Sequence, residues 1–233
     1  MNPPKVLVGC PTAEIKDYCL KEYVDGLKAL TYPNKDFLIV DNSQTGAYAE
    51  KIKGLGIPVV RDAPLEDVKE RIAHSRNVLR DKALKEGYDY FLSLEQDVIP
   101  PADVIERLLK ASVKVITGVY FTIYTFDGAP KMRPLVWKAD PARPGQRMFM
   151  NAEVKAAQGK ASDVQPISAS GVGCILIHRD VFEKIRFRVA NDTYDDMPFC
   201  DDCVANDFRV YADVALVCKH IVDMNGQKLV LPA

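Results

Sequence analysis

The segment Tyr90–Pro101, with the sequence YFLSLEQDVIPP, places the tightest constraint on how this chain can fold. Its apolar first half contains two aromatic residues and shows no helical period, which predicts a buried β-strand. Glu95 and Asp97 follow directly, and Pro100 and Pro101 prevent the strand from continuing. Ligands of open α/β sheets bind outside the carboxyl ends of such strands. Carboxylates placed there suit a divalent cation, and such a cation suits a phosphorylated ligand.

The two carboxylates also fit a simpler interpretation, in which they lie in a solvated turn and Asp97 caps the next helix. Such a turn would not need Glu95 in that register, which favours the metal interpretation.

The order of elements predicts an α/β fold. Apolar runs predict strands at Lys5–Cys10, Asp36–Val40, Ile57–Val60, Tyr90–Leu94 and Val113–Phe121. Helical spacing predicts helices between them, at Ile15–Leu30, Ala47–Leu55, Leu65–Lys85 and Ala102–Lys110. This alternation predicts a Rossmann-like, mostly parallel central sheet with helices on both faces.

Regularity ends between Thr122 and Pro166, a segment rich in proline and basic residues in which we predict one strand, at Pro134–Lys138. Long irregular insertions in compact domains are often functional loops. The segment is therefore either an acceptor-binding or lid region that carries Trp137, or a solvent-exposed surface loop.

Two glycines, Gly171 and Gly173, precede the next predicted strand, Cys174–His178. They leave room for another backbone or a ligand to approach closely. The pair does not follow the first strand, so it is not the dinucleotide-binding fingerprint. A helix at Arg179–Ile185 and a strand at Val210–Cys218 complete the predicted elements.

Composition is that of a globular protein: of 233 residues, 48% are hydrophobic and 27% charged. The formal net charge of −1 gives no reason to expect a nucleic-acid partner. The longest nearly apolar stretch, from Val113 to Phe126, is interrupted by Lys114, so we predict no membrane span and a cytoplasmic location. Peripheral contact with a membrane stays open.

The order of several motifs resembles the nucleotide-sugar-dependent glycosyltransferases of the GT-A fold, close to the family 2 type. The motifs that carry this resemblance are Asp41, Arg76-Asn77, Glu95-x-Asp97, Gly171-x-Gly173, Asp201-Asp202 and His220. The resemblance covers nearly the whole chain and implies one domain, with a nucleotide-binding half at about residues 1–121 and an acceptor and catalytic half at about residues 122–233. Glu95 departs from the family's Asp-x-Asp motif, and Glu is also an oxygen ligand.

The resemblance implies metal-dependent transfer of a sugar from a UDP- or GDP-sugar to an acceptor hydroxyl, with inversion. Mn²⁺ or Mg²⁺ would be held by Glu95, Asp97 and His220, and the imidazole favours Mn²⁺. The implied nucleotide-binding residues are Pro11, Thr12, Asp41, Arg76 and Gln96. Simpler interpretations stay open, because Asp41 is also a common turn former and Arg76 could form an ordinary ion pair.

The resemblance places the catalytic base at Asp202, with Asp201 beside it. Two adjacent like charges can raise the pKa of one carboxyl group into a useful range. The same pair could equally cap a helix that begins at Cys203. On the acceptor and sugar side, the predicted residues are Gly171, Gly173 and Trp137.

Three alternatives remain. Cys200, Cys203, Cys218 and His220 could form a zinc site, or Cys200 and Cys203 a disulfide. The second alternative is a nucleotidyltransferase that forms a nucleotide-sugar. Such an enzyme would normally carry a glycine- and arginine-rich loop after strand one, which Pro11-Thr12-Ala13-Glu14 lacks. The third alternative is a non-catalytic module that binds a nucleotide or a carbohydrate.

Overall fold

An eight-stranded sheet forms the centre of the protein in the computed structural model, which describes residues 3–142 and 144–232. In spatial order its strands are β11 (Val164–Ile167), β14 (Val210–Val217), β6 (Val115–Val119), β13 (Cys174–His178), β4 (Tyr90–Leu94), β1 (Val6–Thr12), β2 (Lys35–Asp41) and β3 (Val59–Arg61). Strands β4, β1, β2 and β3 run parallel, as do β6 and β14. Strand β13 is antiparallel to both neighbours, and β11 is antiparallel to β14. The prediction of a mostly parallel sheet is confirmed.

Helices cover both faces of this sheet, as predicted. They are α1 (Leu20–Ala29), α2 (Ala47–Gly54), α3 (Val68–Lys85), α4 (Val104–Lys110), α5 (Asn151–Ala157), α6 (Arg179–Lys184) and α7 (Asp196–Ala205). Successive side chains of β1 face opposite sides. Val6 and Val8 join the core that contains α1, α2 and α4, whereas Leu7 joins the core that contains α3, α6 and α7. None of the helices within the described ranges combines the length and apolarity needed to cross a bilayer.

The segment from Thr122 to Pro166 is regular, so the prediction of an irregular insertion is wrong. It contains most of the hairpin of β7 (Phe121–Phe126) and β8 (Ala129–Pro134), followed by β9 (Val136–Ala139), β10 (Gln146–Met148) and α5. Strands β10, β9 and β12 (Ala169–Ser170) form a small sheet. Pro130 and Pro134 lie in the two-stranded hairpin, and Pro166 lies in the edge strand β11. Proline lacks an N–H donor and is tolerated at sheet edges, which explains how proline-rich sequence forms strands here.

A second small sheet brings the end of the chain to the acidic segment. Strand β15 (Lys219–Met224) lies between β5 (Val98–Ile99) and β16 (Gln227–Leu231). His220 pairs with Val98, and the Ile221 N–H donates to the Asp97 carbonyl at 2.8 Å. Backbone pairing therefore fixes His220 beside Asp97.

Helix α7 begins at Asp196, not at Cys203, so Asp201 and Asp202 lie well inside the helix. Pro198 occupies its first turn, where the missing N–H costs nothing because that donor has no partner in the helix. The doublet at the start of the helix is thus Asp195-Asp196.

Candidate active site

A cavity of about 410 Å³ opens at the carboxyl ends of β1 and β4. Its size lies within the usual range for small-ligand sites. Seven of the predicted site residues line it: Pro11, Thr12, Arg76, Glu95, Gln96, Asp97 and His220. The residues assigned to the metal and most of those assigned to the nucleotide therefore line one cavity, although Glu95, Asp97 and His220 do not converge on a single metal position.

Asp97 and His220 form a buried pair at the floor of this cavity. His220 Nε2 lies 3.4 Å from Asp97 Oδ2, and the Asp97 side chain is 6% exposed. The Nδ1–H of His220 donates to the Phe121 carbonyl at 2.7 Å, which directs Nε2 towards Asp97. Asp97 Oδ1 is buried and has no hydrogen-bond partner among the described residues. Within the described part of the chain, this pair therefore presents a carboxylate with one unpartnered oxygen beside an imidazole nitrogen.

The charges around Asp97 stabilise its ionised form. Burial by itself raises the pKa of the Asp97 carboxyl, but the hydrogen bond to His220 and the positive charge of Lys16 outweigh burial and hold the pKa well below its usual range. Burial by itself lowers the pKa of His220, and its contact with Asp97 more than compensates, so this pKa is raised. Asp97 is therefore a carboxylate at every physiological pH.

Gln96 anchors the turn that carries both acidic residues. Its Nε2 donates to the Lys16 carbonyl at 2.6 Å, and its Oε1 accepts from the hydroxyls of Thr12 and Tyr48. These bonds connect the end of β4 to the loop after β1. Gln96 therefore holds Thr12 and Lys16 in position, and both of these residues also line the cavity.

Arg76 holds the carboxylates on the opposite side. This arginine is 1% exposed, and it donates to Asp195 Oδ2 at 2.7 Å, to Glu95 Oε1 at 3.0 Å and to the Ser93 hydroxyl. The guanidinium fork suits several acceptors at once. Glu95 is thereby engaged with Arg76, whereas Asp97 is not.

Asp195 and Asp196 line the cavity, although the sequence analysis did not single them out. Burial, together with the negative charges of Asp195 and Glu95, raises the pKa of Asp196 to about 6. The Met197 N–H donates to Asp196 Oδ1 at 2.8 Å and opposes this shift in part. Asp196 therefore titrates close to the pH at which a general base operates.

The structure does not bring Asp201 and Asp202 to the cavity. Asp201 is exposed, and Asp202 forms a bidentate ion pair with Arg188, with both N–O distances at 2.8 Å. This placement corrects the sequence assignment, which chose the second of two acidic doublets in one short segment. The proline in the first helical turn was the signal that pointed to the first doublet.

Gly171 and Gly173 make room for the Tyr120 ring and not for a ligand. A Cβ atom on Gly171 would lie 2.2 Å from the Tyr120 hydroxyl oxygen, and one on Gly173 would lie 2.7 Å from the ring. The Gly173 N–H donates to that hydroxyl oxygen at 3.0 Å. Tyr120 in turn lies edge-on to His220 and lines the cavity. The glycines thus act on the site through Tyr120.

Two other predicted residues lie away from the cavity lining. Asp41 is fully buried, and its Oδ1 accepts from both the backbone N–H and the hydroxyl of Ser43, which fits the turn-forming interpretation. Its neighbour Asn42 reaches the cavity instead. Trp137 is partly buried against the core that contains α7.

One face of α3 also contributes to the wall, and helical spacing could have revealed it. Val68, Ile72 and Arg76 recur every four residues and line the cavity together with Arg71. Arg71 NH1 donates to the Leu65 carbonyl at 3.1 Å. Its Nε is buried and lacks a hydrogen-bond partner within the described ranges.

The proposed zinc cluster does not form. Cys200 and Cys203 lie in one core, Cys218 lies in the other, and all three are free, buried thiols. In residues 3–142 and 144–232, no three His, Cys, Asp or Glu side chains converge to hold a metal ion. A metal at Asp97 and His220 would therefore need oxygen atoms from a ligand.

Such a shared site fits the donor atoms that are present. Two ligands of one cation, each ~2.1 Å from it, lie about 3.0–3.4 Å apart, and the separation of Asp97 Oδ2 and His220 Nε2 is 3.4 Å. The carbonyl bonded to the other imidazole nitrogen is the arrangement usual for metal-binding histidines. Magnesium sites commonly combine one or two carboxylates with substrate phosphates.

Comparison with known proteins supports the fold. No protein-family model and no curated protein sequence matches the chain. Among solved structures, the mannosyltransferase PcManGT from Pyrobaculum calidifontis, determined in complex with GDP-Man and Mn²⁺, is similar with a TM-score of 0.58 and 18% identity over 93% of this chain. The chain spans 56% of that protein. A197 from STIV is similar with a TM-score of 0.50 and 17% identity over 97% of this chain and 93% of that one. The protein therefore has a mixed α/β fold that is similar to the fold of this mannosyltransferase.

Proposed function

We propose that this protein is a metal-dependent glycosyltransferase of the GT-A type, which transfers a sugar from a UDP- or GDP-sugar to an acceptor hydroxyl with inversion. One observation carries the proposal. A single cavity contains the Asp97–His220 pair, which is suited to a cation, and Asp196, whose pKa is raised to about 6. The fold shared with a mannosyltransferase that binds GDP-Man and Mn²⁺ supports it.

Pro11, Thr12 and Asn42 form the donor side, at the ends of β1 and β2. Strand ends of this kind bind nucleotides in open α/β sheets. Arg71 lines the cavity wall, where its guanidinium group can donate to a phosphate oxygen. We assign Arg71 to the diphosphate. Asp41, which the sequence placed among the nucleotide-binding residues, lies outside the cavity lining and has no role in this proposal.

Asp97 and His220 would hold Mn²⁺ or Mg²⁺, whereas Glu95 is paired with Arg76. When bound, the cation neutralises the negative charge that develops on the departing diphosphate. The imidazole ligand favours Mn²⁺ over Mg²⁺.

Asp196 takes the role of general base. Its carboxylate accepts the proton of the acceptor hydroxyl while that oxygen bonds to the anomeric carbon. The bond between the anomeric carbon and the phosphate oxygen breaks, and the nucleoside diphosphate leaves from the opposite face. A base with a pKa near 6 is ionised at pH 7 and remains basic enough to assist the attack.

We further propose that both halves of the chain act as one domain. Strand β13 of the second half lies between β4 and β6 of the first half, and the cavity takes residues from both. The donor is then bound mainly by residues before 121, and the base comes from the later half.

The test is calorimetric titration of UDP and GDP, each with and without Mn²⁺, followed by an assay for nucleoside diphosphate release from a panel of UDP- and GDP-sugars. Asp97→Asn should lose the metal-dependent part of nucleotide binding. Asp196→Asn should retain nucleotide binding and lose sugar transfer, whereas Asp201→Asn, on the same helix, should retain both.

Several outcomes would contradict the proposal. Pyrophosphate release from a nucleoside triphosphate and a sugar 1-phosphate would identify a nucleotidyltransferase. Metal-dependent nucleotide binding without turnover of any donor would identify a binding module. Equal activity of Asp196→Asn and wild type would refute the assignment of the base.

A further inference from the structure

The ammonium group of Lys16 contacts Asp97 Oδ2, the carboxylate oxygen that also faces His220 Nε2. Lys16 lies in the 3₁₀ turn Glu14–Cys19 that follows β1, 81 positions away from Asp97 in the chain. Its side chain is 38% exposed, whereas that of Asp97 is 6% exposed. A partly exposed cation thus lies on a buried anion.

The backbone of Lys16 is held by hydrogen bonds in which its side chain takes no part. The Lys16 carbonyl accepts from Gln96 Nε2 at 2.6 Å and from the Cys19 thiol at 3.2 Å. The four-carbon stem between this anchor and the ammonium group has many rotamers. The amine can therefore leave Asp97 without displacement of the turn.

The ammonium group and a divalent cation compete for the same place. A cation bound by both Asp97 Oδ2 and His220 Nε2 must lie between these two atoms, and Lys16 already contacts that oxygen. Two positive charges within ~4 Å of each other repel strongly in a partly buried site. A metal ion at Asp97 therefore requires the amine to move.

We propose that Lys16 is a built-in competitor of the divalent cation, which neutralises Asp97 in the empty site and transfers to the diphosphate of the donor when metal and nucleotide bind together. The inference rests on the proposed function, because the second position of the amine is on a phosphate. The cavity already contains the carboxylates of Glu95, Asp195 and Asp196. In the protein without metal, Lys16 neutralises Asp97 and so prevents another unpaired negative charge beside these three carboxylates.

This arrangement couples the two ligands. Metal alone must displace the amine and leave it without an anionic partner, so it binds weakly. A nucleoside diphosphate gives the amine a new partner, which makes metal binding easier. By linkage, metal must strengthen nucleotide binding by the same factor.

The experiment measures free Mn²⁺ by electron paramagnetic resonance during titration of the protein, without nucleotide and then with UDP or GDP. We expect Lys16→Met to bind Mn²⁺ at least tenfold more tightly than wild type when no nucleotide is present. The factor by which nucleotide tightens Mn²⁺ binding should fall correspondingly. Lys16→Arg keeps a competing cation and should stay within threefold of wild type.

Lys51→Met is the matched control, because Lys51 is an exposed lysine whose ion pair with Asp17 lies outside the cavity lining. Its Mn²⁺ affinity should equal that of wild type. If Lys16→Met binds Mn²⁺ no more tightly than wild type while Asp97→Asn loses it, the competitor role is overturned and the proposed metal site stands. If Asp97→Asn binds Mn²⁺ as wild type does, the proposed metal site fails, and the inference fails with it.

Discussion

Replacement of Asp196 by asparagine should stabilise the fold at neutral pH while it removes the proposed transfer activity. The environment raises the pKa of this carboxyl from its ordinary value of 3.8 to about 6. A shift of about two units corresponds to ~3 kcal/mol against the ionised form. Asp196 is half-buried, and solvent screening reduces this penalty to about 1–2 kcal/mol. Asparagine retains an acceptor for the Met197 N–H and carries no charge.

The direction of the pKa shift determines how the stability difference between the variant and wild type depends on pH. Well below pH 3.8 the carboxyl group is protonated in both the folded and the unfolded state, and wild type and variant should differ little in stability. As pH rises through about 6, wild type loses the stability that the raised pKa provides, because the unfolded state ionises first. The variant should therefore gain its ~1–2 kcal/mol between about pH 4 and pH 7.

Urea denaturation of both proteins at several pH values measures this difference in the free energy of unfolding. Asp201→Asn is the control, because Asp201 is exposed on the same helix and should show no such trend. A difference between Asp196→Asn and wild type that is independent of pH would refute the reasoning, as would destabilisation at pH 7.

Two further substitutions test how the site is supported. Arg76→Met should destabilise the fold by ~3–5 kcal/mol in chemical denaturation, because it leaves the buried carboxylate of Asp195 without its partner; an effect below ~1 kcal/mol would contradict this. Gly173→Ala should cost about 1–3 kcal/mol, because its Cβ would lie 2.7 Å from Tyr120. Gly54→Ala, with no atom within 4 Å of the new Cβ, should be neutral or stabilising, and thermal melts compare the two.

The strands around the site could be predicted because they are short apolar runs with clear stops. The predicted bounds Tyr90–Leu94 and Cys174–His178 are those of β4 and β13. The strand-end residues Pro11, Glu95 and Asp97 accordingly reach the cavity as expected. Hydrophobic periodicity and the residues that end a strand are both local signals, so both can be identified from the sequence alone.

The start of α7 was predicted wrongly because two acidic doublets lie within one short segment. Both suit a helix start, and the second matched the expected order of motifs. Pro198 decides between them, because proline is well tolerated in the first turn and disruptive in the interior. A helix that began at Cys203 would have left Pro198 outside it, whereas the structure includes it.

The contact between Lys16 and Asp97 could not be predicted from local pattern. It depends on how the turn after β1 meets the turn after β4, and the bond that joins them, from Gln96 to the Lys16 carbonyl, is a long-range contact. Likewise, the fit of Tyr120 over Gly173 depends on packing between distant segments. Such features are products of tertiary structure.

A ribosome releases both neighbours of β13 before β13 itself. Strand β4 pairs with β13 over its whole length and β6 pairs with it over residues 115–117. The segment between β6 and the end of β13 runs from residue 120 to residue 178. At ~5–20 residues per second, its synthesis takes roughly 3–12 s. During this interval β4 lacks its partner on one edge, and β6 lacks both of its partners because β14 is also synthesised later. Such unpaired strand edges are sites of misassociation. The order of the strands along the chain therefore leaves the centre of the sheet without its pairing partners until late in synthesis.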